Sequence, residues 1–367
     1  IVIPTGQQII APLLFEVRDS DVILNAKGSD IPFDKAITKI DGSADSDIYD
    51  EGDNGTVKAG SVVEYTITTK FPAYYEAVSA IDNFTITDDP AAGIAIDKTN
   101  NFEKVVVKVA SVTAVADTDY TIANAGANDA GFKITFKDAF VLAHGGEDVT
   151  VTFEAKIDAS NNASYANGST SHVNNAELHY DNDFYTNSTD SDTDGSASDT
   201  DKATVYEAEI IVNKTFNGNT SSKQTTLPIN STENKSATFK LTRTDVPGYT
   251  KEITVSDSDW VNGKGYQLHF KGLQAGTYKL EETVVPDGYK KAQDTTIKIT
   301  ASSDGSVVTY KFDGNTSNEY NIDNKKGTSL PFTGGMGTVI FTVVGIGIVL
   351  LAGVMFVIYM KKRRIED

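Results

Sequence analysis

The sequence predicts an all-β protein: two Ig-like β-sandwich domains in tandem, followed by a single C-terminal transmembrane helix. Three observations carry that prediction. Runs of β-branched and aromatic residues recur along the chain, several in strict alternation with polar ones, as half-buried strands require. Clusters of Gly, Asn and Asp separate these runs and supply the turns. From Gly335 to Met360 the chain is apolar, broken only by Thr338, Thr342 and Tyr359. A helix needs about 20 such residues to cross a bilayer core.

The bulk numbers narrow the class. A chain of 367 residues has room for two or three domains. Its net charge of −19 would repel phosphate, so nucleic acid is excluded as a partner. There is no cysteine, so disulfides and thiolate metal sites are ruled out, and a secreted fold of this kind needs another staple. His144, His172, His179 and His269 stand far apart and show no metal-ligand spacing. No cofactor is expected. The chain begins Ile1-Val2-Ile3, which reads as a removed signal peptide or a truncated chain.

Residues 1–30, with the apolar run Ile9-Ile10-Ala11-Pro12-Leu13-Leu14-Phe15, read as an extra strand pair or the remnant of a preceding domain. Residues 31–205 form the first predicted domain. Val62 to Thr69 is rich in β-branched and aromatic residues, and Val149, Val151, Phe153, Ala155 and Ile157 alternate with Thr150, Thr152, Glu154 and Lys156. Asp181 to Asp201 is almost wholly Asp, Ser, Thr, Asn and Gly, so it reads as a long loop near a domain boundary. Within it, Asp190, Asp192, Asp194 and Asp201, with Gly195 at the turn, have the spacing of a calcium loop. No helices flank that loop, and the alternative is a solvated acidic linker. A strand restarts at Ala203-Thr204-Val205-Tyr206, and residues 206–326 form the second domain. Residues 327–367 hold the span, ending in Lys361-Lys362-Arg363-Arg364. The positive-inside rule keeps that cluster cytoplasmic and puts residues 1 to about 330 outside.

Several polar residues fall on apolar faces. Lys214 shares a face with Ile210, Val212 and Phe216; Glu282 with Tyr278 and Leu280; Asn324 with Tyr320 and Ile322. The first domain repeats the pattern. Lys35 lies with Phe33 and Ile37, Asp88 with Phe84 and Ile86, and Asn174 with Ala176, Leu178 and Tyr180. Unpaired buried charge is costly, so these groups either neutralise one another as interior ion pairs or react. Burial lowers a lysine pKa and raises a carboxylic acid's. A neutral amine can attack an Asn carboxamide polarised by a protonated acid, expelling ammonia and leaving an amide cross-link. Lys39 has the same parity as Lys35 and rivals it. Glu154 rivals Asp88, although its alternation points outward.

At these residues the sequence resembles Gram-positive sortase-assembled pilins and the related collagen-adhesin B-type repeats. Tyr278-Lys279-Leu280-Glu281-Glu282-Thr283-Val284-Val285-Pro286-Asp287-Gly288-Tyr289 looks like the pilin E-box, with Val285 in place of the usual Ala. The resemblance implies Lys214 as nucleophile, Glu282 as acid and Asn324 as acceptor. The first domain resembles the fimbrial isopeptide-forming domain: Lys58 to Ile67, Phe84 to Asp89 with Gly93-Ile94, and Asn174 to Tyr180 look like its strand motifs. That implies Lys35, Asp88 and Asn174 in the same three roles. Leu330-Pro331-Phe332-Thr333-Gly334, then an apolar span, then a basic tail, looks like the LPxTG sorting signal. This implies a sortase that cuts after Thr333 and passes it to an amine of peptidoglycan precursor or of a neighbouring pilin lysine.

The expected protein is therefore a structural pilus subunit or wall-anchored stalk on the Gram-positive surface, held only transiently in the membrane. The alternative is an LPxTG-anchored adhesin with a host or microbial ligand. The YPKN-like lysine motif of backbone pilins is not found in the sequence. Its carrier is then a domain outside this chain, or the subunit is not a repeating shaft unit. No Gly-x-Ser-x-Gly, His-Glu-x-x-His or Cys-His arrangement appears, so turnover enzymology is not expected beyond a single self-modification.

Overall fold

The structure is a computed structural model that describes residues 7–9, 28–44, 47–74, 80–81, 83–158, 164–181, 196–327 and 351–356. The sorting pentapeptide Leu330 to Gly334 lies outside the described residues. So do Asp190, Asp192 and Asp194, most of residues 1–30, and the apolar run apart from the helical residues 351–356. Among the described residues no helix is long and apolar enough to cross a membrane, and no group of three or more His, Cys, Asp or Glu could hold a metal ion.

The first unit is a sandwich of two sheets. Its strands are β1 (Phe33–Ile40), β2 (Val62–Lys70), β3 (Thr85–Pro90), β4 (Val106–Val109), β5 (Tyr120–Ala125), β6 (Gly131–Phe136), β7 (Asp148–Ile157), β8 (Ser169–Asp181) and β9 (Ser196–Phe216). One sheet runs β4-β7-β2-β1; the facing one runs β5-β6-β3-β8-β9. All of these pairings are antiparallel. The alternation does what period two dictates. Val149, Val151, Phe153, Ala155 and Ile157 are all buried, whereas Lys156 is exposed. Gln7–Ile9 pairs antiparallel with Gly28–Asp30.

The second unit adds β10 (Thr238–Arg243), β11 (Thr250–Thr254), β12 (Gly265–Leu273), β13 (Gly276–Val284), β14 (Thr295–Ser303), β15 (Val308–Phe312) and β16 (Glu319–Asn324). One sheet is β11-β10-β13-β14-β15. The other places the C-terminal half of β9 between β12, antiparallel, and β16, parallel.

Strand β9 thus belongs to both units. Its first half pairs with β8 from Ser196↔Asp181 to Ala208↔Ser169, and its second half pairs with β12 beyond an irregularity at Ala208/Ile210. One buried cluster ends in sequence at Val205; the next begins at Tyr206. Side chains fasten the junction. The Tyr165 phenol donates to Glu207 at 3.2 Å and accepts from the Gly272 N–H at 3.0 Å. Gln274 Nε2 donates to the Thr56 carbonyl at 2.8 Å. Residues Asn54–Thr56 pair parallel with Thr204 to Tyr206 of β9.

The loop expected over 181–201 is corrected in part. Residues 196–201 are strand, paired with residues 176–181 of β8. Their polar composition hides this because the ladder is made by the backbone, and Ala197 is the one buried residue of 197–201.

Gly131 sets the spacing of β6 against β3. A Cβ there would lie 1.6 Å from the Asp88 carbonyl oxygen, so backbone and not side chain must yield. Gly131→Ala is expected to destabilise the chain by about 2 kcal/mol or more. The check is a lowered denaturant midpoint at unchanged slope.

Candidate cross-linking sites

Two sets of buried polar groups stand out, one in each sandwich. In the first, Lys35 enters from β1, while Asp88 on β3 and Asn174 on β8 belong to the facing sheet. Ala176 is directly opposite Asp88 in register, and Asn174 is two residues along on the same inward face. All three are fully buried. The Lys35 amine donates to Asp88 Oδ2 and, at 3.1 Å, to the Asn175 carbonyl. It also lies 5.4 Å from the Tyr65 ring and 5.6 Å from the Phe153 ring, which stack on each other.

Burial pushes the Lys35 amine down from its usual range, opposed by the adjacent Asp88. Burial pushes the Asp88 carboxyl up, opposed by Lys35 and more weakly by Asn174. The two move toward a neutral pair, which is the protonation state that a nucleophilic amine beside an acid requires. Asp88 Oδ1 and both polar atoms of Asn174 are buried with no hydrogen-bond partner.

In the second set Lys214 and Asn324 lie in one sheet, on the parallel neighbours β9 and β16. Asn324 is in register with Phe216, two residues beyond Lys214, and Glu282 reaches across from β13. Exposure is 0% for Lys214, 2% for Glu282 and 0% for Asn324. Asn324 Nδ2 donates to Glu282 Oε2 at 2.9 Å and to the Lys290 carbonyl at 2.6 Å. The Ala292 N–H donates to the same Glu282 Oε2 at 2.7 Å. Glu282 Oε1 and Asn324 Oδ1 have no partner.

The Lys214 amine donates to the Thr215 carbonyl and lies 4.1 Å from the Phe216 ring. Burial lowers its pKa to about 8, against the pull of Glu282 and Asp323.

The rivals are placed elsewhere. A register irregularity between Ile37 and Lys39 breaks the parity of β1. Lys39 therefore faces solvent and pairs with Glu64 at 3.0 Å. Glu154 is on the outer face, where Lys104 approaches it at 3.5 Å. Of the calcium candidates, Asp201 accepts the Lys35 backbone N–H at 2.6 Å. Sequence reasoning put Phe216 on the face of Lys214 but missed Tyr65 and Phe153 against Lys35 and the main-chain groups of residues 290 and 292. Main-chain contacts carry no side-chain signature, and an aromatic beside a strand lysine looks like ordinary core.

Comparison with known proteins bears on the same regions. Residues 223–316 match the SpaA prealbumin-like fold domain, and residues 322–367 match the LPXTG cell wall anchor motif. No curated protein matches the chain. Among solved structures, the T6 backbone pilin of serotype M6 Streptococcus pyogenes is similar at 18% identity and a TM-score of 0.52, over 82% of this chain and 71% of that one. The 35 kDa C-terminal fragment of the major pilin GBS80 of Streptococcus agalactiae is similar at 17% identity and a TM-score of 0.49, over 81% and 100%. The major pilin SpaA of Corynebacterium diphtheriae gives 19%, 0.49, 82% and 70%. The first likeness shows a shared fold. The anchor motif places the chain at the Gram-positive cell wall, as a cell-wall-anchored surface protein.

The Lys214 environment makes a prediction for a chain that cannot react. In Glu282→Gln the amine stays buried and the carboxamide stays intact. Between pH 8 and 10 the unfolded chain binds the lysine proton and the folded chain does not, so stability rises with pH. Losing Glu282 removes one of the charges that hold the Lys214 pKa up, so the folded value lies at or below about 8 and the gain over the span to the ordinary 10.5 is ~3 kcal/mol or more. Urea midpoints across that range, with Lys214→Met in the same background as the flat control, are the check.

Proposed function

We propose that this chain is a structural subunit of a sortase-assembled pilus or wall-anchored stalk, self-stapled by Lys35–Asn174 and Lys214–Asn324 isopeptide bonds. The observation that carries the reading is the composition of the two buried sets. Each holds one amine, one acid and one carboxamide, and each leaves carboxyl and carboxamide atoms without a partner. An unsatisfied buried polar group costs about 1–3 kcal/mol. Condensation removes the ammonium, the carboxamide NH2 and much of that cost together.

In each step the neutral lysine Nζ attacks the asparagine Cγ. The N–C bond forms, the Cγ–Nδ2 bond breaks, and Nδ2 leaves as ammonia after receiving a proton that originates on Nζ. Asp88 or Glu282, in its acid form, donates to the carboxamide oxygen and carries the proton across. The fold supplies the effective molarity of an intramolecular reaction. Outside the ectodomain, a sortase cysteine would attack the Thr333 carbonyl and release Gly334. Thr333 would then pass to an amine of peptidoglycan precursor or of a neighbouring subunit.

The full-length chain under denaturing conditions should weigh less than its sequence by two ammonias, roughly 17 Da each. Asp88→Ala and Glu282→Ala should each restore one ammonia. A mass equal to the sequence would end the proposal.

The two bonds also fix a load path. Tension between the N-terminal side and Thr333 would enter at Lys35, cross to Asn174, run through β8 and β9 to Lys214, and cross again to Asn324. Residues 36–173 and 215–323 would be bypassed. Asn174 is opposite Ala203 in register, so the hairpin of residues 175–202 is pulled open from its base, the weaker direction for a ladder. Single-molecule pulling should show one extension of about 90 Å, at ~3.3 Å per residue, and Asp88→Ala should lengthen it.

A further inference from the structure

The second set differs from the first in having its carboxamide held, and one short segment does the holding. Lys290 O accepts from Asn324 Nδ2 at 2.6 Å, and the Ala292 N–H donates to Glu282 Oε2 at 2.7 Å. In the first set no main-chain group holds either amide atom of Asn174. The main chain after Tyr289 therefore touches both the acid and the group that leaves.

That segment is fixed from behind. The Tyr289 ring packs edge-on against Phe216 at 5.3 Å, and the Lys214 amine lies over the same Phe216 ring at 4.1 Å. Tyr289 also forms an isolated bridge with Lys326; the Lys290 N–H donates to the Lys325 carbonyl at 3.0 Å, and the Gly327 N–H to the Gly288 carbonyl at 2.8 Å. One aromatic pair thus ties the seat of the nucleophile to the clamp on the acceptor.

We propose that residues Tyr289 to Ala292 are a positioning clamp for the Lys214–Asn324 cross-link, with Tyr289 as the side chain that sets it. The inference rests on the cross-linking reading above. Lys290 O and Glu282 Oε2 together orient the Asn324 NH2 away from the amine. That presents Cγ to Lys214 and holds Nδ2 where it departs as ammonia. Tyr289 touches neither reacting atom and acts through Phe216 and the main chain. Its hydroxyl is not part of the clamp, so a phenyl ring suffices.

The test follows bond formation in the full-length chain after cell-free synthesis, with acid quenching and quantitation of the two branched peptides. Tyr289→Ala should slow the Lys214–Asn324 bond roughly ten- to a hundredfold, the range expected for misplacing groups by about 1 Å. Tyr289→Phe should restore the rate. The Lys35–Asn174 bond in the same molecules should form at the wild-type rate, which separates positioning from general misfolding. Ala292→Pro, which removes the N–H donor to Glu282, should slow the second bond likewise. Wild-type rates of the second bond in both Tyr289→Ala and Ala292→Pro would overturn the clamp. Absence of both branched peptides from the wild-type chain would instead overturn the cross-linking reading beneath it.

Discussion

A lysine amine without water has to be neutralised by a neighbour or consumed by a reaction, and two are buried among the described residues. Lys35 and Lys214 are both fully buried, each with its acid and its asparagine buried in the same core. Interior ion pairs are a weak route to stability, because desolvation offsets most of the Coulomb gain. The aromatic rings beside the amines sharpen the point. They exclude water and return a cation–π attraction of about 2 kcal/mol, open only to a charged amine.

The two sets solve one chemical problem with different geometry. In the first, the acid and the amide share a sheet and the amine comes from the opposite one, so a bond there ties the layers of the sandwich. In the second, the amine and the amide share a sheet on parallel strands, so a bond there ties β9 to β16, the strand nearest the cell-wall anchor. Strand β9 is common to both units and carries Lys214 near its end. The sequence has no cysteine, and the proposed amide bonds would reinforce a surface chain without needing an oxidant.

Much of this was legible in the sequence. Period-two alternation placed Lys35, Asp88, Asn174, Lys214, Glu282 and Asn324 on inward faces, and all six are buried. The pattern fails where the backbone departs from it. Lys39 has the parity of Lys35, but one register irregularity in β1 turns it to solvent. Residues 196–201 look like linker because a ladder at a sheet's outer turn needs only main-chain partners. The Lys290 and Ala292 contacts have no residue-type signal at all. The sorting signal is the opposite case: pentapeptide, apolar run and basic cluster are a linear code that needs no fold to be read.

The central claim is that amine and carboxamide in each core are one group. A crystal structure at high resolution tests it most directly, through the density between Lys214 Nζ and Asn324 Cγ and between Lys35 Nζ and Asn174 Cγ. The account predicts continuous planar density at an amide separation of roughly 1.3 Å, with the lysine Nζ as the only nitrogen on each Cγ. Two separate groups at van der Waals distance, each asparagine keeping its nitrogen, would contradict it.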